Sequence, residues 1–201
     1  MAFKVTDIVN ESMDGARASL FMAEIRFPAG VAGGADASRI SRFLIKSAAL
    51  PASTLGIIEL PFMGRKIKIA GDRTFEDWET TIINDEKMNV RSAIENWSDS
   101  INGFQSNKPS FDNSMAYRST ATITQLSTRG NAIRTYKFHE VWPSAIAAID
   151  VAWETTDTIE EFSCTWTYDF FTASQGLDGL DLPKLGAEIG SSLRELLTVS
   201  S

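Results

Sequence analysis

The sequence predicts a mainly β protein with one α-helix, an α+β arrangement. Three patterns carry that reading. Phe162, Cys164, Trp166, Tyr168 and Phe170 alternate with Glu161, Ser163, Thr165, Thr167 and Asp169, the period of a strand with one face in a core and one polar face. Two apolar arms, Leu55 to Leu60 and Arg65 to Ala70, flank Pro61-Phe62-Met63-Gly64 and read as a hairpin. Only Val90, Ile94, Trp97 and Ile101 recur on a helical period.

The other elements follow in order. Phe21, Ala23, Ile25 and Phe27 oppose Glu24 and Arg26 in a half-buried strand that Pro28 ends. Ala29 to Ser38, with Gly30, Gly33 and Gly34, reads as a long flexible loop. Phe43-Leu44-Ile45 begins a second apolar segment that Pro51 breaks. Thr74 to Ile83 is a strand with Trp78, Thr80 and Ile82 on one face. Asn84 or Asp85 is the predicted N-cap of the helix at 85–101, and Asn102-Gly103 closes it through a left-handed glycine. Arg91, Glu95 and Asp99 lie outside its apolar stripe and face water or a partner. Residues 104–115 form a loop. Tyr117 to Leu126 and Ala132 to Val141 are strands joined by a turn at 127–131, and Pro143 breaks the pattern before an ambiguous stretch at 145–153. Composition shifts near Thr172, giving a domain at 1–172, then a linker from Ala173 to Pro183 and a weak amphipathic helix at 185–199.

Composition excludes several chemistries. The 201 residues fit one domain or two small ones, and a net charge of −7 argues against a protein that grips phosphates along nucleic acid. One cysteine, Cys164, precludes an internal disulfide. With one histidine, His139, the chain holds two residues of the kind that usually supply four zinc ligands, so no metal site is expected. No apolar run approaches the ~20 residues of a membrane span. The N-terminus shows no signal-peptide core, so folding in a reducing cytoplasm is expected.

No catalytic constellation is present, and no enzyme activity or cofactor is expected. His139 sits in an alternating strand beside Lys137 and Glu140 and reads as a solvent-facing histidine. Cys164 falls on an apolar face, where a thiol is inert. Neither GxGxxG nor GxxxxGK[ST] occurs. Glu160 and Glu161 point to opposite faces of a strand, which does not suit acid–base work. Asp178 and Asp181 read as solvated, and the sequons at Asn10 and Asn96 as chance matches. Arg65, Lys66 and Lys68 form a basic cluster that is either a solvated strand face or a contact with an acidic surface of another subunit. A β-rich domain with free edges tends to pair with something, so oligomerisation is the natural hypothesis.

The run from Leu50-Pro51-Ala52-Ser53-Thr54-Leu55-Gly56 through Ile58-Glu59-Leu60-Pro61-Phe62-Met63-Gly64-Arg65-Lys66-Ile67-Lys68 to Phe75 resembles the tail tube proteins of contractile-tailed (T4-like) bacteriophages, the phage tail tube/Hcp-like family. Trp78-Glu79-Thr80-Thr81-Ile82-Ile83-Asn84-Asp85-Glu86, Val90-Arg91 and Glu95-Asn96-Trp97 resemble the strand-to-helix section of the same family. The likeness spans roughly residues 1–172.

The resemblance implies two packed antiparallel sheets, a β-sandwich or barrel, with a flanking helix. It implies hexameric rings whose inner sheets join into one barrel and which stack into the inner tail tube, a structural virion component that conducts the genome into the host. The implied partners are further copies of the chain, the tail sheath, the baseplate hub or tube initiator, the tape-measure protein and the tail terminator. DNA passes the lumen without specific binding, and a negative lumen would repel it. By the same resemblance, Gly30, Gly33 and Gly34, with Leu60, Phe62, Gly64, Lys66 and Lys68, are candidates for inter-subunit contact. Arg91, Glu95 and Asp99 are candidates for sheath contact. Assembly in the bacterial cytoplasm and residence in the virion tail are implied too. The alternatives are the tube of a type VI secretion system or phage-tail-like injection particle, a baseplate tube initiator and, more distantly, a ligand-binding β-barrel.

Overall fold

A computed structural model describes residues 16–154 and 156–175, so the predicted helix at 185–199 lies outside the described residues. In chain order the elements are β1 (Phe21–Ile25), α1 (Gly34–Leu44), β2 (Ile45–Ala48), β3 (Ser53–Phe62), β4 (Arg65–Phe75), β5 (Trp78–Ile83), α2 (Asn89–Ile101), β6 (Ser119–Leu126), β7 (Ala132–Ile146), β8 (Glu161–Thr167) and β9 (Phe170–Gln175). The predicted class holds: the protein is mainly β, in two antiparallel sheets. The sheets are unequal. One has seven strands in the order β1-β6-β7-β8-β5-β2, with β9 also pairing β7; the other is the β3–β4 hairpin alone. Among the described residues the larger sheet has two free ends, β1 and β2, and does not close on itself.

The chain divides into two compact units. In the smaller, residues 16–21, 124–135 and 174–175, the turn is held by Ser127 N–H donating to Asn131 O (2.8 Å) and Gly130 N–H donating to Ser127 O (2.9 Å). Thr124 and Thr135 share a hydroxyl hydrogen bond of 3.1 Å, and Leu126 N–H donates to Leu20 O.

The larger unit, 22–123 and 136–173, holds the core. Antiparallel register sets Trp78 opposite Trp166, Thr80 opposite Cys164 and Ile82 opposite Phe162, and all six are buried. Period-2 alternation puts them on one face, against which α2 lays Val90, Ala93, Ile94 and Trp97. Trp97 meets Trp166 at 5.8 Å between ring centroids, and Trp78 stacks on Phe138 at 4.4 Å. Each buried indole N–H finds an acceptor: Trp78 donates to Ala49 O, Trp97 to Tyr117 O and Trp166 to Thr80 Oγ1. Buried tryptophan therefore contributes its apolar area without an orphaned donor.

Several expectations are corrected. The loop read at 29–38 ends in a second helix: α1 starts at Gly34, after Gly33 in the left-handed region (φ 76°). Its buried face is Gly34, Ala37 and Ser41, spaced three and four apart but too small to register as an apolar stripe. A Cβ on Gly34 would lie 2.9 Å from Phe27 Cβ, so the close approach needs glycine. The strand read at 74–83 is two strands, broken at Glu76-Asp77. Pro143 does not end β7; it lies opposite Trp166 at a bulge between Pro143 and Ala145, the kind of position in a sheet where a residue without an N–H is tolerated. Helix α2 begins at Asn89, later than predicted, after Met88 in the left-handed region (φ 50°). Neither Asn84 nor Asp85 is the N-cap, which is Met88; the Asp85 carboxylate nevertheless accepts from Asn89 N–H (2.9 Å) and from Asn89 Nδ2 (2.8 Å) in the first turn. The helix ends at extended Asn102 (φ −151°), and Gly103 is not left-handed. The C-terminal strand runs to Gln175, so residues 173–175 of the predicted linker are strand.

Candidate assembly interface

The β3–β4 hairpin is the largest feature that the larger unit leaves without a covering. Met63 (φ 45°) and Gly64 (φ 79°) form a two-residue turn with both residues left-handed, the geometry whose twist matches two paired strands. The arms pair from Phe62 opposite Arg65 down to Ser53 opposite Phe75. At ~3.4 Å per residue, ten residues extend about 34 Å. A two-stranded ribbon of this kind is marginal alone and needs a surface to pack on.

Register sorts the side chains. Directly opposed residues share a face, so Ile58 with Ile69, Leu60 with Ile67 and Phe62 with Arg65 form one face, apolar but for the arginine at the tip. Glu59 with Lys68 and Pro61 with Lys66 form the other. Lys66 Nζ lies 2.6 Å from Glu59 Oε2. That exposed pair contributes about 0–1 kcal/mol. The apolar face is open: Ile58, Leu60, Phe62, Ile67 and Ile69 are each 47–60% exposed, and Met63 at the tip is 90% exposed. Contiguous apolar surface of this kind marks an interaction site.

The hairpin is anchored at its base. Phe75 packs on Tyr168 (6.1 Å) and Phe171 (5.5 Å), and Arg73 donates to Ser53 Oγ (2.9 Å). A bulge falls between Leu55 and Ile57, where Gly56 and Gly71 bring the two backbones together; a Cβ on Gly71 would sit 3.2 Å from Gly56 C.

The sequence-derived contact candidates fall into three places. Leu60, Phe62, Gly64, Lys66 and Lys68 all lie on the exposed hairpin. Gly30, Gly33 and Gly34 surround the start of α1, with Gly34 buried under Phe27 rather than offered outward. Arg91, Glu95 and Asp99 lie along α2 but are engaged within the chain. Arg91 pairs with Glu95 (2.9 Å), donates to Ala147 O (3.2 Å) and covers the Phe162 ring (5.1 Å). Asp99 accepts from Phe104 N–H at 2.8 Å. Beside them, Arg91, Glu95, Phe104 and the 143–148 segment line an open groove of about 450 Å³.

His139 and Cys164 are both held by contacts or burial within the chain. His139 Nε2 lies 3.1 Å from Thr172 Oγ1, and its ring stacks on Phe170 at 4.5 Å. Cys164 is buried, and burial pushes its thiol far above the ordinary range. Among the described residues no cluster of three or more His, Cys, Asp or Glu could hold a metal, and no helix is long and apolar enough to cross a membrane.

The described residues thus form an open antiparallel sheet backed by two helices, with a long apolar-faced β-hairpin left uncovered. Residues 16–174 match the family described as phage tail tube protein. The chain belongs to that family. It is 30% identical over 162 residues to the tail tube protein gp19 of Enterobacteria phage T4, spanning 80% of this chain and 93% of that one. To the tail tube protein of Serratia phage KSP90 it is 28% identical over 144 residues, 72% of this chain and 80% of the other. Among solved structures, the tube terminating cap of the anti-feeding prophage superposes with a TM-score of 0.59 at 13% identity, covering 81% of this chain and 93% of the cap. A chain of the sheath–tube complex of an extracellular contractile injection system in its extended state gives 0.51 at 14% identity, covering 87% and 99%. At such identities these likenesses show the fold.

Proposed function

We propose that this chain is the non-enzymatic building block of the inner tail tube of a contractile phage tail. Copies close into hexameric rings, rings stack, and the tube conducts the genome within the surrounding sheath of the virion. The observation that carries the reading is the β3–β4 hairpin, whose apolar face is exposed in the single chain and which lies within the residues that match the family. A neighbouring copy covers that face, and Leu60, Phe62 and Ile67 supply its apolar contacts. Lys66 and Lys68 on the opposite face meet acidic surface. The start of α1 around Gly30 and Gly33 lies at the boundary between ring neighbours, and the exposed side of α2 near Glu95 and Asp99 faces the sheath. The tape-measure protein occupies the lumen before DNA does, and a baseplate hub and a tail terminator meet the two ends of the tube.

Negative-stain electron microscopy of the purified chain across concentration, beside its sedimentation, tests this. Rings or tubes support it. A particle that stays monomeric at high concentration, even with a preformed baseplate added, overturns it.

A further inference from the structure

Helical and tubular polymers grow by heterologous contacts, in which one patch of the subunit meets a different patch on the next. The hairpin is one patch. The rest of the larger unit offers a candidate for the other in the connection that follows β7. Trp153 there is fully exposed, as is Val151 for the most part, although tryptophan is ordinarily among the most buried side chains. Asp150 and Glu154 flank them. No basic residue pairs with Asp150 or Glu154 among the described residues. An aromatic residue between two carboxylates, held out in water, is what an interface anchor looks like before its partner arrives.

The chain carries the matching surface. The tip of the hairpin holds Arg65, Lys66 and Lys68 with no carboxylate between Leu60 and Ala70. Arg65 sits on the apolar face opposite Phe62, so that face presents a guanidinium beside Phe62, Leu60 and Ile67. No carboxylate pairs with Arg65 or Lys68 among the described residues. Cation next to apolar face on one patch, and anion next to indole on the other, are complementary in both charge and polarity.

We infer that the Asp150–Glu154 segment of one subunit docks on the β3–β4 hairpin of the next, with Trp153 seated on the apolar face and Asp150 and Glu154 against Arg65 on that same face. This rests on the tube reading and names the surface that covers the apolar face of the hairpin and its Arg65. The occupant is a second copy of this chain.

The test uses the full chain and compares critical concentrations for assembly by sedimentation. Trp153→Ala raises that concentration at least tenfold while the melting curve of the monomer is unchanged, because the side chain touches nothing it would destabilise. Asp150→Lys with Glu154→Lys blocks assembly at any accessible concentration. Adding Arg65→Glu to that double variant restores it, which a merely structural role would not do. A second measurement does not depend on those substitutions. Oxidised Ala152→Cys, Ile67→Cys chains give a ladder of disulfide-linked multimers, and either single variant does not. Wild-type tubes together with unaffected Trp153→Ala tubes and no ladder overturn this contact while leaving the tube reading in place; Trp153 would then face a different protein. Failure of the wild type to form rings or tubes under any condition overturns both.

Discussion

Strand β8 and the β3–β4 hairpin are both rich in apolar residues, and they put those residues to opposite use. In β8, Phe162, Cys164 and Trp166 are buried within the chain while Ser163 and Thr165 face outward. In the hairpin, Ile58, Leu60, Ile67 and Ile69 have the same alternation, yet they remain about half exposed. The hydrophobic effect acts on both sets equally, at roughly 25 cal/mol for each Å² removed from water. What differs is where the covering surface comes from. For β8 it is α2 of the same chain. For the hairpin no described surface of the chain supplies it, and in the proposed tube a neighbouring copy does, so the same pattern of residues would stabilise a fold in one place and an assembly in the other.

That contrast can be broken most sharply in the core. Trp166→Ala removes the ring that meets Trp97 and leaves Thr80 Oγ1 without its indole donor. It lowers folding stability by about 3–5 kcal/mol in chemical denaturation. The Leu60→Asp, Ile67→Asp variant tests the opposite limb: its monomer stability stays within about 0.5 kcal/mol of the wild type. Sedimentation nevertheless shows loss of assembly. Cooperative loss of monomer structure in that variant would mean that the hairpin face is core after all. Lys66→Glu with Lys68→Glu likewise impairs assembly and spares the monomer melt, and intact tubes from it would exclude a basic contact. Asp85→Ala, which removes the acceptor for Asn89 N–H, costs about 1 kcal/mol in a thermal melt and leaves assembly unchanged.

The smallest effect expected is in pH. Burial raises the folded thiol of Cys164 above its unfolded value, so above the ordinary thiol range the unfolded chain binds fewer protons than the folded one. Stability is therefore full below that range and falls as pH rises through it, and Cys164→Ala flattens the fall in denaturation curves taken between pH 7 and 10.

The same contrast explains what sequence pattern could and could not reveal. The alternation in β8, the hairpin and the stripe of α2 were readable because large side chains repeat with the period of the element. Helix α1 was not, because Gly34, Ala37 and Ser41 make its buried face, so no stripe of large apolar side chains marks it. Ser38 and Ser41 also tie the helix to β1 and its exit through hydroxyls, with Phe27 N–H donating to Ser38 Oγ (3.0 Å) and Ile25 N–H to Ser41 Oγ (3.3 Å). Pro143 was read as a terminator because a proline cannot donate to a ladder, and the bulge that accommodates it involves Thr165 and Trp166, more than twenty residues away. Of the contact candidates, the hairpin residues came from alternation and resemblance together. Arg91 was read as outward because its position lies off the stripe; its length lets it reach back to Ala147 O and Phe162. Trp153 left no pattern at all, since a single aromatic in a loop has no period, and only its exposure reveals it.

The paired glycines near the base of the hairpin have a mechanical consequence. Below them, Phe75 clamps the ribbon to the body through Tyr168 and Phe171, and the Arg73–Ser53 hydrogen bond ties its two arms together. At Gly56 and Gly71 no side chain stiffens the crossing, and the bulge interrupts the ladder there. The outer ribbon thus works as an arm on a joint, and its elastic compliance resides in a few backbone torsions instead of in the packed body. If copies are linked through such arms as proposed, bending strain falls on these joints, and a long tube would flex while each subunit keeps its own core undeformed.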